Sequence, residues 1–206
     1  MSSEADSARF WENLYQSEQD HWDLGYPTPV FARLAAERRF AVGDMVVLGA
    51  GHGHDARLFA RHGFRVTAVD FAASAIRQMQ HLIDPLAPVS ILQADIFCLP
   101  EHWESCFDYV LEYVTFCAIL PARRAEYAAV VNRLLRPGGV LIHLAFPIGR
   151  RAGGPPYVVQ PDHIIELFQN QGFQLQDREF PVESIPIRKG YEELLIFNKI
   201  AANLAN

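Results

Sequence analysis

The sequence predicts an α/β domain built on one mainly parallel, doubly wound sheet with helices on both faces. Short apolar segments such as Asp44–Leu48 alternate with amphipathic segments of helical length, the order typical of strand–helix–strand units. The first of these strands ends in a glycine-rich turn, and sheets of this class bind ligands at such turns. With 206 residues, half of them hydrophobic, the chain is long enough to bury one such core.

The predicted elements follow one another in a regular order. Two helices precede the sheet: the first places Phe10, Trp11, Leu14 and Tyr15 on one face, and the second runs from about residue 27 to 40. The predicted strands span residues 44–48, 65–69, 89–92, 107–111 and 140–146, and the predicted helices span 55–62, 72–82, 122–135 and 162–170. Pro137–Gly139 is expected to end the last helix before the fifth strand.

Two further strand-like segments lie near residues 173–180 and 194–200. The residues between them show no helical periodicity, so we expect the two segments to pair as an antiparallel hairpin at one edge. The prediction is therefore a Rossmann-like, seven-stranded, doubly wound sheet, mainly parallel with an antiparallel edge hairpin. Because no linker composition or internal repeat is present, we expect residues 1–206 to form one domain, with a helical N-terminal segment at 1–40 and a core at 41–206.

Composition and charge exclude several functions. Lys and Arg number 18 and Asp and Glu 24, and the formal net charge of −6 disfavours binding to nucleic acid or to an anionic membrane. No apolar run approaches the roughly 20 residues that a membrane helix needs, and the N-terminus lacks a signal-peptide pattern. Cys98, Cys106 and Cys117 form no Cys-x-x-Cys motif, so we expect a reduced, cytoplasmic protein that acts on small molecules.

The loop after the first strand reads Gly49-Ala-Gly51-His-Gly53, and Asp70 closes the second strand. Glycines let the backbone approach a nucleoside, and a carboxylate at that strand end can accept hydrogen bonds from both ribose hydroxyls. We therefore assign these three glycines and Asp70 to an adenosine-containing cofactor. A dinucleotide fingerprint requires glycine at position 54, where the chain has histidine, so S-adenosylmethionine (SAM) is favoured over NAD. The alternatives are a dinucleotide and a turn without a ligand.

The third strand also ends close to a carboxylate. Asp95 follows it and is placed to accept a hydrogen bond from an adenine amino group, while Ile96 and Phe97 would flank the ring. The alternative is an aspartate that only caps a turn or helix.

Other residues with chemical side chains have structural interpretations. His52 and His54 have a His-x-His spacing, but in a loop that wraps a nucleoside we expect them to flank the site without a metal. Asp55 is expected to cap the following helix. Cys117 and His143 are expected to pack in the core, since the sequence shows no catalytic partner for either.

The chain resembles the class I SAM-dependent methyltransferases over most of its length, in the order glycine loop, Asp70, Ala94-Asp95, Tyr109 to Tyr113 and Leu135-Arg-Pro-Gly-Gly139. More narrowly, the sequence is similar to the thiopurine methyltransferase superfamily and, within it, to the halide/thiol methyltransferase branch. The stretches that carry this narrower resemblance are Trp22-Asp-x-Gly-x-x-Thr-Pro29, Glu112-Tyr-Val-Thr-Phe-Cys-Ala-Ile119 and Gly153-Gly-Pro-Pro-Tyr157.

The resemblance implies roles for individual residues. Trp11 and Trp22 match tryptophans of an N-terminal lid that closes over the cofactor, and Tyr15 stands where plant members usually carry another tryptophan. The implied cofactor contacts are Gly49, Asp70, Asp95, Ile96 and Phe97. Tyr113 matches the tyrosine at the methyl-transfer site.

The implied activity is transfer of a methyl group from SAM to a small sulfur nucleophile, a thiol or hydrosulfide, or to a halide ion, which leaves S-adenosylhomocysteine. Such anions need no general base, so we assign Tyr113 to orienting the anion through its hydroxyl group. Glu112 and Thr115 stand where the family usually has Asp and Phe, and loss of that ring predicts a wider or wetter pocket. The alternatives are a thiopurine or metalloid (tellurite or selenite) methyltransferase and a non-catalytic SAM- or nucleotide-binding protein. We expect a monomer.

Overall fold

The computed structural model describes residues 7–82, 84–150 and 152–201. The strands are β1 (Asp44–Leu48), β2 (Arg65–Asp70), β3 (Val89–Gln93), β4 (Phe107–Tyr113), β5 (Leu135–Ala145), β6 (Phe173–Glu179) and β7 (Glu193–Lys199). The α-helices are α1 (Ala8–Gln16), α2 (Pro29–Ala36), α3 (His54–Arg61), α4 (Ala73–His81), α5 (Arg124–Leu134) and α6 (Pro161–Gln169). Within the described residues, none of the helices has the length and apolar character that crossing a membrane requires.

All seven strands form one sheet in the order β3–β2–β1–β4–β5–β7–β6. The pairs from β3 across to β5 are parallel, and β7 is antiparallel to both β5 and β6. The predicted doubly wound sheet with an antiparallel edge hairpin is therefore confirmed. The strand order reverses between β1 and β4, and in open sheets of this kind ligands bind at the carboxyl ends of the strands beside such a reversal.

Helices cover both faces of the sheet because its central strands are apolar on both sides. Met45 and Val47 of β1 join a buried cluster that contains Phe31 of α2 and Phe59 of α3. The alternate residues of β1 join a second cluster on the other face, which contains Tyr127 of α5 and Phe168 of α6. A strand whose successive side chains all meet apolar partners reads as a continuous hydrophobic run, which is why β1 was recognisable in the sequence.

The start of β5 differs from the prediction. The preceding helix ends at Leu134, and Leu135 is already extended and pairs with Phe107 of β4. Pro137–Gly139 therefore lies inside the strand, where the register with β4 shifts between Phe107 and Tyr109, rather than before it. An irregularity of this kind lets a ladder continue across residues that regular strands disfavour.

Other boundaries shift by a few residues. The second helix, α2, spans Pro29–Ala36 instead of residues 27–40, with Pro29 in its first turn and Arg38 at a positive φ of 50° just after it. β4 continues two residues beyond the predicted end, to Tyr113. This extension places Tyr113 at the carboxyl end of β4, beside the reversal of strand order between β1 and β4.

Candidate active site

A cavity of about 680 Å³ opens at the carboxyl ends of β1, β2 and β4, a volume typical of small-molecule sites. The predicted site residues in its lining are Trp11, Tyr15, Trp22, Gly49, Gly51, Asp70, Asp95, Ile96, Phe97 and Tyr113. The cavity therefore joins the expected cofactor residues and Tyr113 in one continuous space. Gly53 is not part of this lining.

The glycine loop needs residues without a side chain for two different reasons. Gly49 has a positive φ of 64°, and a Cβ there would collide with the side chain of Thr115. Gly51 has a φ of 54°, and a Cβ there would lie 3.3 Å from the hydroxyl oxygen of Tyr15. Gly49 therefore allows the segment after β4, which carries Thr115, to pack against the loop. Gly51 allows α1, which carries Tyr15, to approach the same loop.

Gly53 and Asp55 have roles other than those predicted. Gly53 is the N-cap of α3, and a Cβ there would lie 2.6 Å from Met79 of α4, so this glycine serves helix packing rather than the cavity wall. Asp55 does not cap α3. Its carboxylate accepts hydrogen bonds from the backbone amide and the hydroxyl of Thr28 at 2.7 and 2.8 Å, which fastens the start of α2 to the glycine loop. Burial raises the pKa of Asp55 to about 6.

Asp70 lies at the end of β2 with 6% of its surface exposed. Its two carboxylate oxygens accept hydrogen bonds from the backbone amides of Gly51 and Ala72, each at 2.9 Å. Burial raises the pKa of Asp70 to about 6, although the backbone hydrogen bonds oppose this shift. The carboxylate thus holds the glycine loop against the sheet and presents its remaining lone pairs to the cavity.

Asp95, Ile96 and Phe97 follow β3 and line the same cavity. Oδ1 of Asp95 accepts a hydrogen bond from the backbone amide of Phe97 at 2.9 Å, which fixes the turn. The guanidinium carbon of Arg123, another lining residue, lies 3.6 Å from the centroid of the Phe97 ring, so this contact holds one face of the ring. The arrangement is a carboxylate beside two apolar side chains, as expected for an adenine subsite.

Aromatic residues of the N-terminal segment cover the cavity. The ring of Trp22 meets those of Trp11 and Tyr15 edge to face, with centroids 5.4 Å apart in both pairs. Glu12 anchors α1 to the sheet domain, because it accepts hydrogen bonds from the amide and hydroxyl of Ser74 in α4, at 2.8 and 2.7 Å. Burial opposes ionisation of Glu12, but these and other hydrogen bonds outweigh it and lower its pKa to about 2.

A cluster of acids and imidazoles joins the segment after α1 to the glycine loop. Asp23 lies 3.1 Å from Nδ1 of His52 and 3.3 Å from Nε2 of His54, and Asp20 lies 3.5 Å from Nε2 of His52. The hydrogen bond with Asp23 raises the pKa of His52 against the effect of burial. Burial opposes ionisation of Asp23, but the two histidines outweigh it and lower the pKa of its carboxyl. We name Asp20, Asp23, His52 and His54 the lid clasp.

One potential ligand atom from each of Asp23, His52 and His54 lies within 4.8 Å of the others. Nδ1 of His54 already lies 2.9 Å from a guanidinium nitrogen of Arg57, which can only donate. This contact makes Nδ1 of His54 an acceptor and leaves its Nε2 as the donor to Asp23. Both ring nitrogens of His54 therefore have partners within the protein, Arg57 at Nδ1 and Asp23 at Nε2.

Tyr113 lies at the far end of the cavity beside Arg188, and its hydroxyl contacts two residues from the connection between β6 and β7. Its hydroxyl donates to Glu192 and accepts a hydrogen bond from Arg188. Arg188 also donates to the carbonyl oxygen of Trp22 at 2.9 Å. This hydrogen bond connects the Tyr113 end of the cavity to the N-terminal segment that carries the aromatic lid residues Trp11, Tyr15 and Trp22. Burial and the neighbouring Glu192 carboxylate raise the pKa of Tyr113, which keeps it a phenol at neutral pH.

Glu112 shapes the segment that follows Tyr113. One of its carboxylate oxygens accepts from the backbone amides of Thr115 and Phe116 at 3.0 and 2.6 Å, and the other lies 2.8 Å from Nδ1 of the fully buried His143. Thr115 turns its hydroxyl to the carbonyl oxygen of Leu48, at 2.9 Å. His143 is therefore a core residue, as predicted, and it packs against the carboxylate that orders the loop beside Tyr113.

Cys117 is buried and donates its thiol hydrogen to the carbonyl oxygen of Val114 at 3.2 Å. Burial raises the pKa of this thiol, so it stays protonated and unreactive. The structural interpretation of Cys117 fits this environment.

Sequence reasoning missed three residues of the site: Glu12, Arg188 and Glu192. Arg188 and Glu192 lie in an irregular stretch with no motif, 75 and 79 residues after the tyrosine that they contact. Glu12 occupies the polar side of an amphipathic helix, where a glutamate has no distinguishing pattern. Their roles depend on tertiary contacts, and the sequence around Arg188, which follows isoleucines at 185 and 187, carries no pattern that would identify them.

Comparison with known proteins gives a consistent result. A sequence model described as thiopurine S-methyltransferase matches residues 6–185. A protein named probable thiol methyltransferase 2 from Arabidopsis thaliana is 34% identical over 192 residues, covering 89% of this chain and 82% of the relative. Thiocyanate methyltransferase 1 from the same plant is 34% identical over 195 residues, covering 92% of this chain and 84% of the relative.

Solved structures share the fold at lower sequence identity. The crystal structure of a 1,6-didemethyltoxoflavin-N1-methyltransferase from Burkholderia thailandensis, with bound 1,6-didemethyltoxoflavin and S-adenosylhomocysteine, superposes with a TM-score of 0.73. Its sequence is 20% identical, and the match covers 95% of this chain and 88% of that structure.

Proposed function

The chain belongs to the thiopurine S-methyltransferase family and is a SAM-dependent methyltransferase, and we propose that it transfers the methyl group to a small sulfur nucleophile, a thiol or hydrosulfide. The observation that carries this proposal is the single cavity that runs from Asp70 and Asp95, under the aromatic lid, to Tyr113. Relatives named for thiol and thiocyanate methylation cover most of the chain and support the same acceptor class.

The lining residues fit SAM. We propose that the Asp70 carboxylate accepts from the ribose hydroxyls and that Asp95 accepts from the adenine amino group, with Ile96 and Phe97 against the ring. Gly49 and Gly51 let the loop pack closely against Thr115 and Tyr15, and this packing positions the loop beside the proposed nucleoside site. Gly53 supports this loop from outside the cavity, through its packing against Met79 in α4.

When bound, SAM supplies a methyl group on a positively charged sulfur, which an in-line nucleophile can take. The faces of Trp11, Trp22 and Tyr15 can stabilise that charge by cation–π attraction, worth about 0.5–2 kcal/mol each depending on desolvation. The same rings exclude water from the cavity. A lid of this kind favours the charged donor over its neutral product and so also favours product release.

A sulfur anion is already deprotonated, so it needs no general base. The residues around Tyr113 only have to align it with the methyl group and remove its hydration shell. Tyr113, Phe146, Pro155 and Pro156 form a largely apolar wall suited to this task. We propose that Tyr113 orients the acceptor through its position at the end of the cavity rather than through its hydroxyl proton, which is already donated to Glu192. Halide ions are a second and weaker acceptor class in this proposal, since they share the negative charge but the polar Thr115 stands in the cavity where the branch usually has a ring.

The test is a panel of acceptors with SAM, analysed by headspace mass spectrometry and by formation of S-adenosylhomocysteine. Hydrosulfide, methanethiol and thiocyanate should give methylated products, with iodide and bromide slower, and Tyr113→Phe should lower turnover with every acceptor. Turnover restricted to thiopurines, or to tellurite or selenite, would replace the proposal with one of these alternatives. Tight binding of SAM without turnover of any acceptor would indicate a SAM-binding protein without catalysis.

We also propose that residues 1–206 act as one monomeric domain in the cytoplasm. All three cysteines are free thiols, which suits a reducing compartment. Light scattering after gel filtration should give a mass near 23.2 kDa. A dimer mass at micromolar concentration would contradict this part of the proposal.

A further inference from the structure

Arg188 is a buried cation at the Tyr113 end of the cavity. Only 6% of its surface is exposed, and it forms part of the cavity lining. Its guanidinium carbon lies 5.3 Å from the centroid of the Tyr113 ring and 5.0 Å from that of Phe146, so two aromatic rings hold it in place. Arginine is almost never buried to this extent unless its charge is paired.

The hydrogen bonds of Arg188 leave part of the guanidinium unused. The group carries five N–H donors. One nitrogen donates to the Tyr113 hydroxyl and another to the carbonyl oxygen of Trp22. Among the ion pairs of the described residues, none includes Arg188, and the Glu192 carboxylate is connected to it through the Tyr113 hydroxyl that both residues contact. The charge is therefore only indirectly balanced, on a side chain that borders the cavity.

The Tyr113 hydroxyl is already committed to the protein. Its single proton is donated to Glu192, and its oxygen accepts from Arg188. Burial and the Glu192 carboxylate raise the pKa of this phenol, so it keeps its proton, and the hydrogen bond to Glu192 already uses that proton. The donors that remain for an anion beside Tyr113 belong to Arg188.

We propose that Arg188 is the anion receptor of the acceptor subsite, and that it binds the methyl acceptor as a monovalent anion with a soft donor atom, such as thiolate, hydrosulfide or thiocyanate. This inference rests on the proposed function and adds the charge state in which the acceptor is selected. Tyr113 and the Trp22 carbonyl oxygen orient the guanidinium, and Glu192 fixes the Tyr113 hydroxyl. Neutral thiols then enter only after they have lost their proton in solution.

The direct test measures anion binding without turnover. Thiocyanate is titrated into the complex of the enzyme with S-adenosylhomocysteine, and binding is followed by calorimetry. Arg188→Met should weaken thiocyanate binding about 10- to 100-fold, because a charge-assisted hydrogen bond in a desolvated site is lost. Arg188→Lys should fall between this variant and the wild type, since it keeps the charge without the planar fork. The exposed Arg150→Gln is the matched control and should bind like the wild type.

Glu192→Gln separates an anion receptor from a purely structural arginine. Removing the carboxylate should leave thiocyanate binding equal to the wild type or tighter, because one negative charge near the subsite is gone. A fold defect would weaken binding in both the Arg188 and the Glu192 variants, together with the affinity for S-adenosylhomocysteine. Thiocyanate affinity that is unchanged in both Arg188→Met and Arg188→Lys would overturn the inference.

The acceptor panel distinguishes failure of this inference from failure of the proposed function. Methylated sulfur products whose formation does not depend on Arg188 would overturn the inference and leave the proposed function standing. Thiocyanate binding that depends on Arg188, without methylation of any sulfur acceptor, would support the anion site and refute the proposed function. In the supporting case, Arg188→Met raises the KM for hydrosulfide more than it lowers kcat.

Discussion

Glu12 of α1 accepts two hydrogen bonds from Ser74 in the first turn of α4, one from the backbone amide at 2.8 Å and one from the hydroxyl at 2.7 Å. This pair is a direct link between the lid helix and the sheet domain. It places the lid aromatics over the cavity by fixing the helix that carries Trp11 and Tyr15.

Glu12→Ala should therefore weaken SAM binding more than it lowers global stability. Loss of two partly exposed, charge-assisted hydrogen bonds costs about 1–2 kcal/mol in lid closure, or about a 5- to 30-fold higher Kd. Calorimetry with SAM and thermal unfolding of the free protein check both parts. The control is Glu166→Ala, which removes an exposed helical glutamate on α6 and should leave the Kd unchanged. Equal loss of binding in both variants would mean that Glu12 has no special role.

The lid clasp predicts weaker SAM binding at alkaline pH. The pKa of His52 is raised above its usual 6.5 by the hydrogen bond with Asp23, so its contribution to lid closure is complete below pH 6.5. That contribution is lost as the pH rises through the raised pKa and the imidazolium loses its proton. The Kd for SAM should rise several-fold across this range in the wild type and stay flat in His52→Gln. An identical alkaline profile in the two proteins would contradict the clasp.

Asp70 predicts weaker SAM binding at acid pH. The ribose hydroxyls need the carboxylate form, and burial raises the pKa of Asp70 to about 6 in the free protein. Below that pH the protonated form predominates, so the Kd should rise by up to about tenfold per pH unit. Asp70→Asn should bind SAM weakly at every pH and lose this acid limb. A wild-type Kd that does not change between pH 7 and 5 would refute the assignment of Asp70 to the ribose.

Gly49→Ala should destabilise the fold by more than its backbone angle alone explains. An alanine with a positive φ costs about 1 kcal/mol, and the added Cβ also collides with Thr115, for a total of about 3 kcal/mol. Gly138→Ala is the matched control, because its φ of 79° is similar and nothing lies within 4 Å of the added Cβ. Urea unfolding gives both free energies.

The collision itself can be isolated with Thr115→Ala. This substitution should reduce the cost of Gly49→Ala by about 1–2 kcal/mol in a double-mutant cycle. Equal costs for Gly49→Ala and Gly138→Ala would show that the contact between the loop and Thr115 is not tight.

Local patterns in the sequence were sufficient to predict the sheet and the cofactor end of the cavity. Apolar runs such as Asp44–Leu48 report burial on both faces, and strand-end carboxylates such as Asp70 stand at positions that the topology makes functional. Both kinds of signal depend on residues that are neighbours in the chain. The ends of helices and strands were harder to predict. The helix α5 ends at Leu134, and the next residue, Leu135, already pairs in β5, with no turn residue between them to mark the boundary.

The far end of the cavity was not predictable from sequence in the same way. Arg188 and Glu192 reach Tyr113 only because the antiparallel β7 brings the preceding connection back over the sheet. Asp55 was predicted as a helix cap from its position, but its carboxylate instead accepts hydrogen bonds from Thr28, the N-cap residue of α2. Tertiary hydrogen bonds decided both cases, and no local pattern records them.

We propose above all that the cavity transfers a methyl group from SAM to an anionic sulfur atom. Reaction of hydrosulfide with SAM carrying a deuterated methyl group tests this most directly, with S-adenosylhomocysteine and deuterated methanethiol measured in the same sample. We expect the deuterated methyl groups recovered in methanethiol, and in dimethyl sulfide where methanethiol accepts a second methyl group, to equal together the S-adenosylhomocysteine formed, and Tyr113→Phe should lower both amounts. S-adenosylhomocysteine formed without any deuterated sulfur product, or no turnover of hydrosulfide and thiols at all, would contradict it.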